Sequence, residues 1–149
     1  PNATHITQKL EYDYAFNPDW FSQPAYIRAD FDKPNIRWKF LQGRKTDFYD
    51  VYGDGVIKII FTPGHTPGHQ SVLVNLPKTG HMLFTGDACY TEDHWCDKCL
   101  PGLVASSSDA AESVKKLRRV AKEYDAKVVW GHDPVSWLDW KKAPMFYYD

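Results

Sequence analysis

The strongest constraint on the fold is an apolar strand pattern that runs directly into a turn rich in glycine, proline and histidine. Residues 56–61 are rich in isoleucine and valine and predict a buried strand. The sequence TPGHTPGH follows at residues 62–69. Glycine lets the backbone bend sharply, so this turn presents its imidazole groups just past a strand end, where a side chain is held precisely.

The rest of the chain alternates strands, turns and one clear helix. Residues 110–124 predict an amphipathic helix, with Asp109 as its N-cap and Glu112 completing a capping box. Four other segments predict strands: residues 4–8, 70–75, 81–85 and 127–130. This alternation predicts the α/β class, in which helices and a sheet form layers.

Composition excludes several kinds of partner. The 149 residues suffice for one domain with a core, and 43% hydrophobic with 25% charged residues is ordinary for a globular protein. The net charge is -1 with no basic stripe, so we expect no nucleic-acid partner. No apolar run is long enough to span a bilayer, so we expect no membrane partner. Three cysteines give no disulfide framework, which favours a reducing, cytoplasmic location.

Two further turns repeat the pattern of a predicted strand followed by glycine and a metal-binding type of side chain. Residues 85–90 read TGDACY and residues 130–133 read WGHD. Imidazole and carboxylate groups are ligands that Zn²⁺ accepts, so His65, Asp87 and His132 are candidate metal ligands. Cys96 and Cys99 could form half of a zinc site or a redox pair, but the sequence has no second cysteine pair.

Together and in this order, the three turns resemble the third, fourth and fifth motifs of the metallo-β-lactamase superfamily. The resemblance implies an αββα sandwich and an active site with two zinc ions. It implies that His65 is a metal ligand, that Asp87 bridges the two ions and that His132 is the last ligand, on the second ion. His69 does not match a ligand position, and we expect it to orient the site instead.

Within the superfamily, residues 87–90 (DACY) resemble the Asp-Ala-x-Tyr pattern of N-acyl-homoserine lactonases. The resemblance implies that Tyr90 lies over the metal pair and contacts the substrate carbonyl, with Tyr90 and Asp87 as catalytic residues. It implies a bacterial hydrolase that opens the lactone ring of N-acyl-homoserine lactones, which is quorum quenching. The alternatives are a hydrolase of another small lactone, a glyoxalase-like thioesterase and a non-catalytic fragment.

The sequence departs from the family in one respect, the absence of the first metal motif, His-x-His-x-Asp-His. None of the six histidines forms His-x-His: they are His5, His65, His69, His81, His94 and His132. We therefore expect residues 1–149 to be the C-terminal portion of a single metallo-β-lactamase-type domain. Its expected partner is the N-terminal half carrying that motif, without which zinc binding and activity should be poor.

A segment dense in aromatic residues, 12–41, is interrupted by prolines and predicts irregular helix and loop covering something apolar. Trp20, Phe21 and Tyr26 could line an acyl-chain pocket, or equally lie in the core or in the contact of a homodimer. Pro134 and Val135 follow His132 and could touch substrate.

Overall fold

The computed structural model describes residues 3–99, 101–144 and 146–149. The strands in this part of the chain are β1 (Thr4–Gln8), β2 (Arg37–Leu41), β3 (Phe48–Asp50), β4 (Ile57–Phe61), β5 (Gln70–Leu76), β6 (Gly80–Phe84) and β7 (Lys127–Val129). The α-helices are α1 (Lys9–Phe16), α2 (Arg28–Phe31), α3 (Glu92–Trp95), α4 (Ser107–Glu123) and α5 (Pro134–Asp139). Among the described residues, no helix combines the length and the apolar character that a membrane crossing requires.

The main sheet has the strand order β3-β4-β5-β6-β7. Neighbours are antiparallel from β3 to β6, and β7 is parallel to β6. Helix α4 covers one face, where Leu117 and Val120 pack with Ile60, Leu73 and Leu83 in the core. Burying each such side chain stabilises the fold by about 1.5–3 kcal/mol. The predicted α/β class is therefore confirmed, and the five predicted strands are found within one or two residues of their predicted bounds, whereas β2 and β3 were not predicted.

The aromatic segment is more regular than the sequence indicated. Strand β2, at Arg37–Leu41, pairs in parallel with β1, whereas we predicted irregular helix and loop for residues 12–41. In β2 the side chains of Trp38 and Phe40 are partly buried while Arg37 and Lys39 are exposed, which is the period-2 signature of a strand. Prolines nearby obscured that alternation, and the pairing partner lies some thirty residues earlier.

The predicted N-cap of α4 was wrong. The cap is Ser106, whose side-chain oxygen accepts the backbone N–H of Asp109. Asp109 lies in the first turn, and its carboxylate instead accepts a hydrogen bond from Arg44 at 2.9 Å. Both residue types cap helices well, so residue type alone did not distinguish Ser106 from Asp109.

Candidate metal centre

The three predicted turns meet because of strand direction. Strands β4 and β6 are both antiparallel to β5, and β7 is parallel to β6, so β4, β6 and β7 all run the same way. Their carboxyl ends lie at one edge of the sheet, and the loops that follow them carry His65, Asp87 and His132.

The Asp87 carboxylate lies between the two histidines. Its Oδ1 is 2.7 Å from Nε2 of His132, and its Oδ2 is 3.5 Å from Nε2 of His65. The structure therefore brings the three side chains together through different oxygens of one carboxylate. Their roles as metal ligands stay a prediction.

The hydrogen bonds of His65 fix which ring nitrogen is free. Its Nδ1 lies 3.0 Å from the backbone carbonyl of Leu103, which can only accept, so Nδ1 carries the proton. In the neutral imidazole, Nε2, the nitrogen that faces Asp87, then has the lone pair that a metal requires. His132 differs, because its Nε2 faces Oδ1 at hydrogen-bond distance and would give up a proton on binding metal.

This donor set fits part of a site for two ions. In the part of the chain that the structure describes, no three His, Cys, Asp or Glu side chains surround one point where a single ion could sit. Instead, the Asp87 carboxylate has one imidazole beside each of its oxygens, so each oxygen and its histidine could supply two of the ligands of one ion. We call each such pair a half-site. The His132 side chain is 63% exposed, so its side of the carboxylate is open to further ligands.

Tyr90 lies over both histidines. Its phenol oxygen is 3.1 Å from Nδ1 of His65, and its ring packs against the His132 ring at a centroid distance of 4.9 Å. Burial, together with the nearby Asp87 carboxylate, raises the pKa of the Tyr90 phenol, so it stays a proton donor at neutral pH.

The loops after β6 and β7 are in backbone contact. A Cβ atom on Gly131 would lie 2.4 Å from the Gly86 carbonyl oxygen, so only glycine fits there. The amide of Gly131 donates to the Cys89 carbonyl at 3.2 Å, and that of His132 donates to the Tyr90 carbonyl at 2.9 Å. These contacts set the separation between His132 and the Asp87 loop.

Asp133, the residue after His132, links the start of α5 to the start of α3. Its carboxylate caps α5 by accepting the N–H groups of Val135 and Ser136, and it also accepts the N–H of Glu92 at 3.0 Å. The hydrogen bond from Glu92, followed by those from α5, lowers the pKa of the Asp133 carboxyl. The residue after His132 is thus fixed to the start of α3.

A cavity of about 420 Å³ opens beside His65 and Asp87. Phe21 and Tyr26 line it, which agrees with one of the two alternatives left open for them, but Trp20 is 83% exposed and is not among the lining residues. Pro134 and Val135 do not line it either; they begin α5.

Sequence reasoning missed two parts of this cavity. The carboxylate of Glu11 accepts the Gly68 amide at 3.0 Å and the Tyr26 hydroxyl at 2.6 Å, joining α1 to the histidine-bearing turn. Burial, then Glu11, raises the pKa of Tyr26. Leu103 closes the other side and bonds His65. Neither residue belongs to a motif, so the sequence carried no signal for them.

The cysteines lie outside the candidate ligand set. Cys89 is fully buried, as expected for a packing residue, and burial raises the pKa of its thiol to about 12. Cys96 and Cys99 are exposed free thiols. Among the described residues they join no metal-binding group, so the structure gives no support to the zinc alternative for this pair.

The fold and the loop chemistry define a class of protein. Residues 1–132 match the model of the metallo-beta-lactamase superfamily, and the chain belongs to that superfamily. The family predicted from the three turns is therefore confirmed.

Individual relatives point to one group of proteins within this superfamily. The N-acyl homoserine lactonase AttM of Rhizobium radiobacter is 60% identical over 147 residues, covering 99% of this chain and 56% of AttM. The N-acyl homoserine lactonase AiiA of Bacillus thuringiensis subsp. kurstaki is 30% identical over 132 residues, covering 89% of this chain and 48% of AiiA. The chain therefore spans about half the length of these curated relatives.

A solved structure shows the same fold. It is an N-acyl homoserine lactone hydrolase with the product N-hexanoyl-L-homoserine bound at its catalytic metal center. Its TM-score with this chain is 0.82 at 28% identity, and the match covers 99% of this chain and 53% of that one.

Proposed function

We propose that the protein carrying this chain opens the lactone ring of N-acyl-homoserine lactones in a reaction that depends on two zinc ions. The observation that carries the proposal is the Asp87 carboxylate, whose two oxygens face Nε2 of His65 and Nε2 of His132. The 60% identity with a protein named N-acyl homoserine lactonase supports the choice of substrate.

Zinc suits this donor set, because imidazole nitrogen and carboxylate oxygen are its usual ligands beside thiolate. This chain supplies one histidine for each ion and a shared carboxylate, fewer groups than two ions need. We therefore propose that residues 1–149 are the C-terminal portion of a single domain, and that an N-terminal half with His-x-His-x-Asp-His supplies the other ligands. When bound, the ions act as Lewis acids and lower the pKa of water toward neutrality.

The residues of this chain have distinct roles in the proposal. Tyr90 donates its phenol proton to the carbonyl oxygen of the lactone as negative charge develops there. The cavity beside Asp87 has apolar lining side chains, Phe21, Ala25, Leu103 and Val104, which suit the acyl chain. A ligand with a polar ring and an apolar tail fits both parts of the site.

The test is hydrolysis of N-hexanoyl-homoserine lactone by the full-length protein loaded with zinc, with Asp87→Asn as the matched inactive control. We expect ring opening to be faster than hydrolysis of an unsubstituted small lactone or a thioester. Faster thioester hydrolysis would overturn the substrate assignment in favour of the glyoxalase-like alternative. If none of the three compounds were hydrolysed, the result would favour the alternative that this chain belongs to a non-catalytic protein.

Two further expectations stay predictions, the cytoplasmic location and the homodimer. Sedimentation of the full-length protein would test the homodimer.

A further inference from the structure

A group of polar side chains lies beneath the loop that carries Asp87. Thr62, Ser71 and Thr85 are buried, at 0%, 1% and 0% exposure, and His69 is partly buried beside them. A buried hydroxyl or imidazole destabilises the fold unless it is hydrogen-bonded, so the partners of each group must be accounted for.

The side chains of His69, Thr62 and Ser71 form one continuous line of hydrogen bonds that ends at the Thr85 carbonyl, whereas the Thr85 hydroxyl donates to the Cys89 carbonyl. The Asp87 amide lies 3.1 Å from Nε2 of His69, and Nδ1 of His69 lies 2.9 Å from Oγ1 of Thr62. Oγ1 of Thr62 lies 2.9 Å from Oγ of Ser71, which lies 2.8 Å from the Thr85 carbonyl. One end of the line is the backbone amide of Asp87, and the other end is the backbone carbonyl of Thr85.

The two backbone ends fix the direction of every proton in the line, because an amide only donates and a carbonyl only accepts. Ser71 gives its proton to the Thr85 carbonyl, so its oxygen accepts the Thr62 hydroxyl proton. Oγ1 of Thr62 must then accept a proton from Nδ1 of His69. The Thr62 carbonyl, 3.2 Å from the same Nδ1, also only accepts.

We propose that His69 is a positioning residue for the metal centre, held in its Nδ1–H form by Thr62 and Ser71 so that unprotonated Nε2 fixes the Asp87 loop. This rests on the proposed function of Asp87. The loop fits closely against the ring: Gly86 has a φ of +54°, and a Cβ there would lie 3.0 Å from Nε2. A metal ligand on a loosened loop loses affinity by about 10- to 100-fold, as for other changes behind a metal site.

The first test reads the tautomer directly. In the full-length protein labelled with ¹⁵N-histidine, we expect the His69 signals to show a protonated Nδ1 and an unprotonated Nε2, assigned by their loss in His69→Gln. The Nε2–H form would overturn the proposal, because that nitrogen could not then accept the Asp87 amide.

The second test compares two amides that each preserve one half of the imidazole. The longer side chain of His69→Gln places a carboxamide oxygen near the Nε2 position and can still accept the Asp87 amide. The shorter His69→Asn can replace only the donor at Nδ1. By chelator competition we expect zinc affinity to fall about 10- to 100-fold in His69→Asn and less than about threefold in His69→Gln. Equal affinity in the two variants would overturn the positioning role.

If His69→Asn does not fold, a second pair of variants, at Thr62, tests the same proposal. Thr62→Val keeps the shape of the side chain but breaks the line, whereas Thr62→Ser retains the hydroxyl. We expect zinc affinity about three- to tenfold lower in Thr62→Val than in Thr62→Ser. Equal affinities would overturn the part of the proposal in which the Thr62 hydroxyl holds Nδ1–H, because the Thr62 carbonyl would then be a sufficient acceptor.

Hydrogen exchange of the Asp87 amide separates failure of this proposal from failure of the proposed function. We expect the amide to be protected in wild type and in His69→Gln and to exchange faster in His69→Asn. If the full-length protein opened no lactone, that protection pattern would still report on the hydrogen bond. An amide that exchanges equally in all three proteins would overturn the inference, whatever the activity.

Discussion

The phenol oxygen of Tyr90 lies 3.1 Å from Nδ1 of His65. Because that Nδ1 is already a donor to the Leu103 carbonyl, the phenol oxygen accepts at this contact and its own proton is free to point elsewhere. A proton donor over the two histidines is therefore available to a substrate carbonyl.

The first prediction concerns this donor. If the full-length protein has the proposed lactonase activity, Tyr90→Phe should lower kcat by about 10- to 100-fold, on the order of 1.4–2.7 kcal/mol. The effect on KM should be smaller, because the hydrogen bond to the lactone carbonyl strengthens only as charge develops. Lactone-hydrolysis kinetics with metal content checked would measure this. If Tyr90 only packs the pocket wall, the variant will keep wild-type turnover with its metal retained.

The second prediction concerns Asp87. Asp87→Asn keeps the size of the side chain but removes the charge shared by the two half-sites, so metal content should fall together with activity. We expect a larger loss of activity than in Tyr90→Phe, beyond the roughly 10- to 100-fold typical of changes behind a metal site. Elemental analysis of the purified variant would check it. Two tightly held ions in Asp87→Asn would contradict the bridging role.

The third prediction concerns Gly131. Its position 2.4 Å from the Gly86 carbonyl means that Gly131→Ala must force apart the loops that carry Asp87 and His132. We expect the free energy of unfolding to fall by about 1–3 kcal/mol, with weaker zinc binding. Denaturant unfolding and chelator competition would measure the two effects.

Gly102→Ala is the matched control for Gly131→Ala, since a Cβ there meets no heavy atom within 4 Å among the described residues. Its free energy of unfolding should stay within about 0.5 kcal/mol of wild type. Equal losses in the two glycine variants would show that the loop contact is unimportant.

The fourth prediction concerns pH and His94. Burial, then the Arg118 charge, lowers the pKa of this imidazole below 6.5 in the folded protein, and its Nδ1 accepts the Tyr90 amide at 3.3 Å. The unfolded chain then binds the proton more readily, so the His94 contribution is complete above about pH 6.5 and is lost as the pH falls below it.

In His94→Gln, which cannot titrate, the free energy of unfolding should therefore decline less between about pH 7 and pH 5 than in wild type. The difference between the two proteins above about pH 8, where His94 is neutral in both states, serves as the control. Identical declines in both proteins would rule out this role of His94.

Local sequence was sufficient to predict the strands and helices that bury one face and expose the other. The isoleucine-rich run before Thr62 and the helical spacing of Val114, Leu117 and Val120 predicted β4 and α4 correctly. The three turns also supplied the candidate ligands, because glycine beside histidine or aspartate at a strand end is a local pattern. Strand β2 was missed although its residues alternate, because the prolines near it favoured an irregular structure.

The sequence by itself determined the candidate metal ligands and the phenol beside them: His65, Asp87, Tyr90 and His132 could all be named before the structure. Only the tertiary structure decided how those groups are oriented and what surrounds them. The direction of β4, β6 and β7 brings the turns to one edge, and the tautomer of His65 depends on Leu103, 38 residues away. Hydrogen bonds between distant segments leave no periodic trace in a sequence, because each partner is selected by its position in the fold and not by its neighbours in the chain.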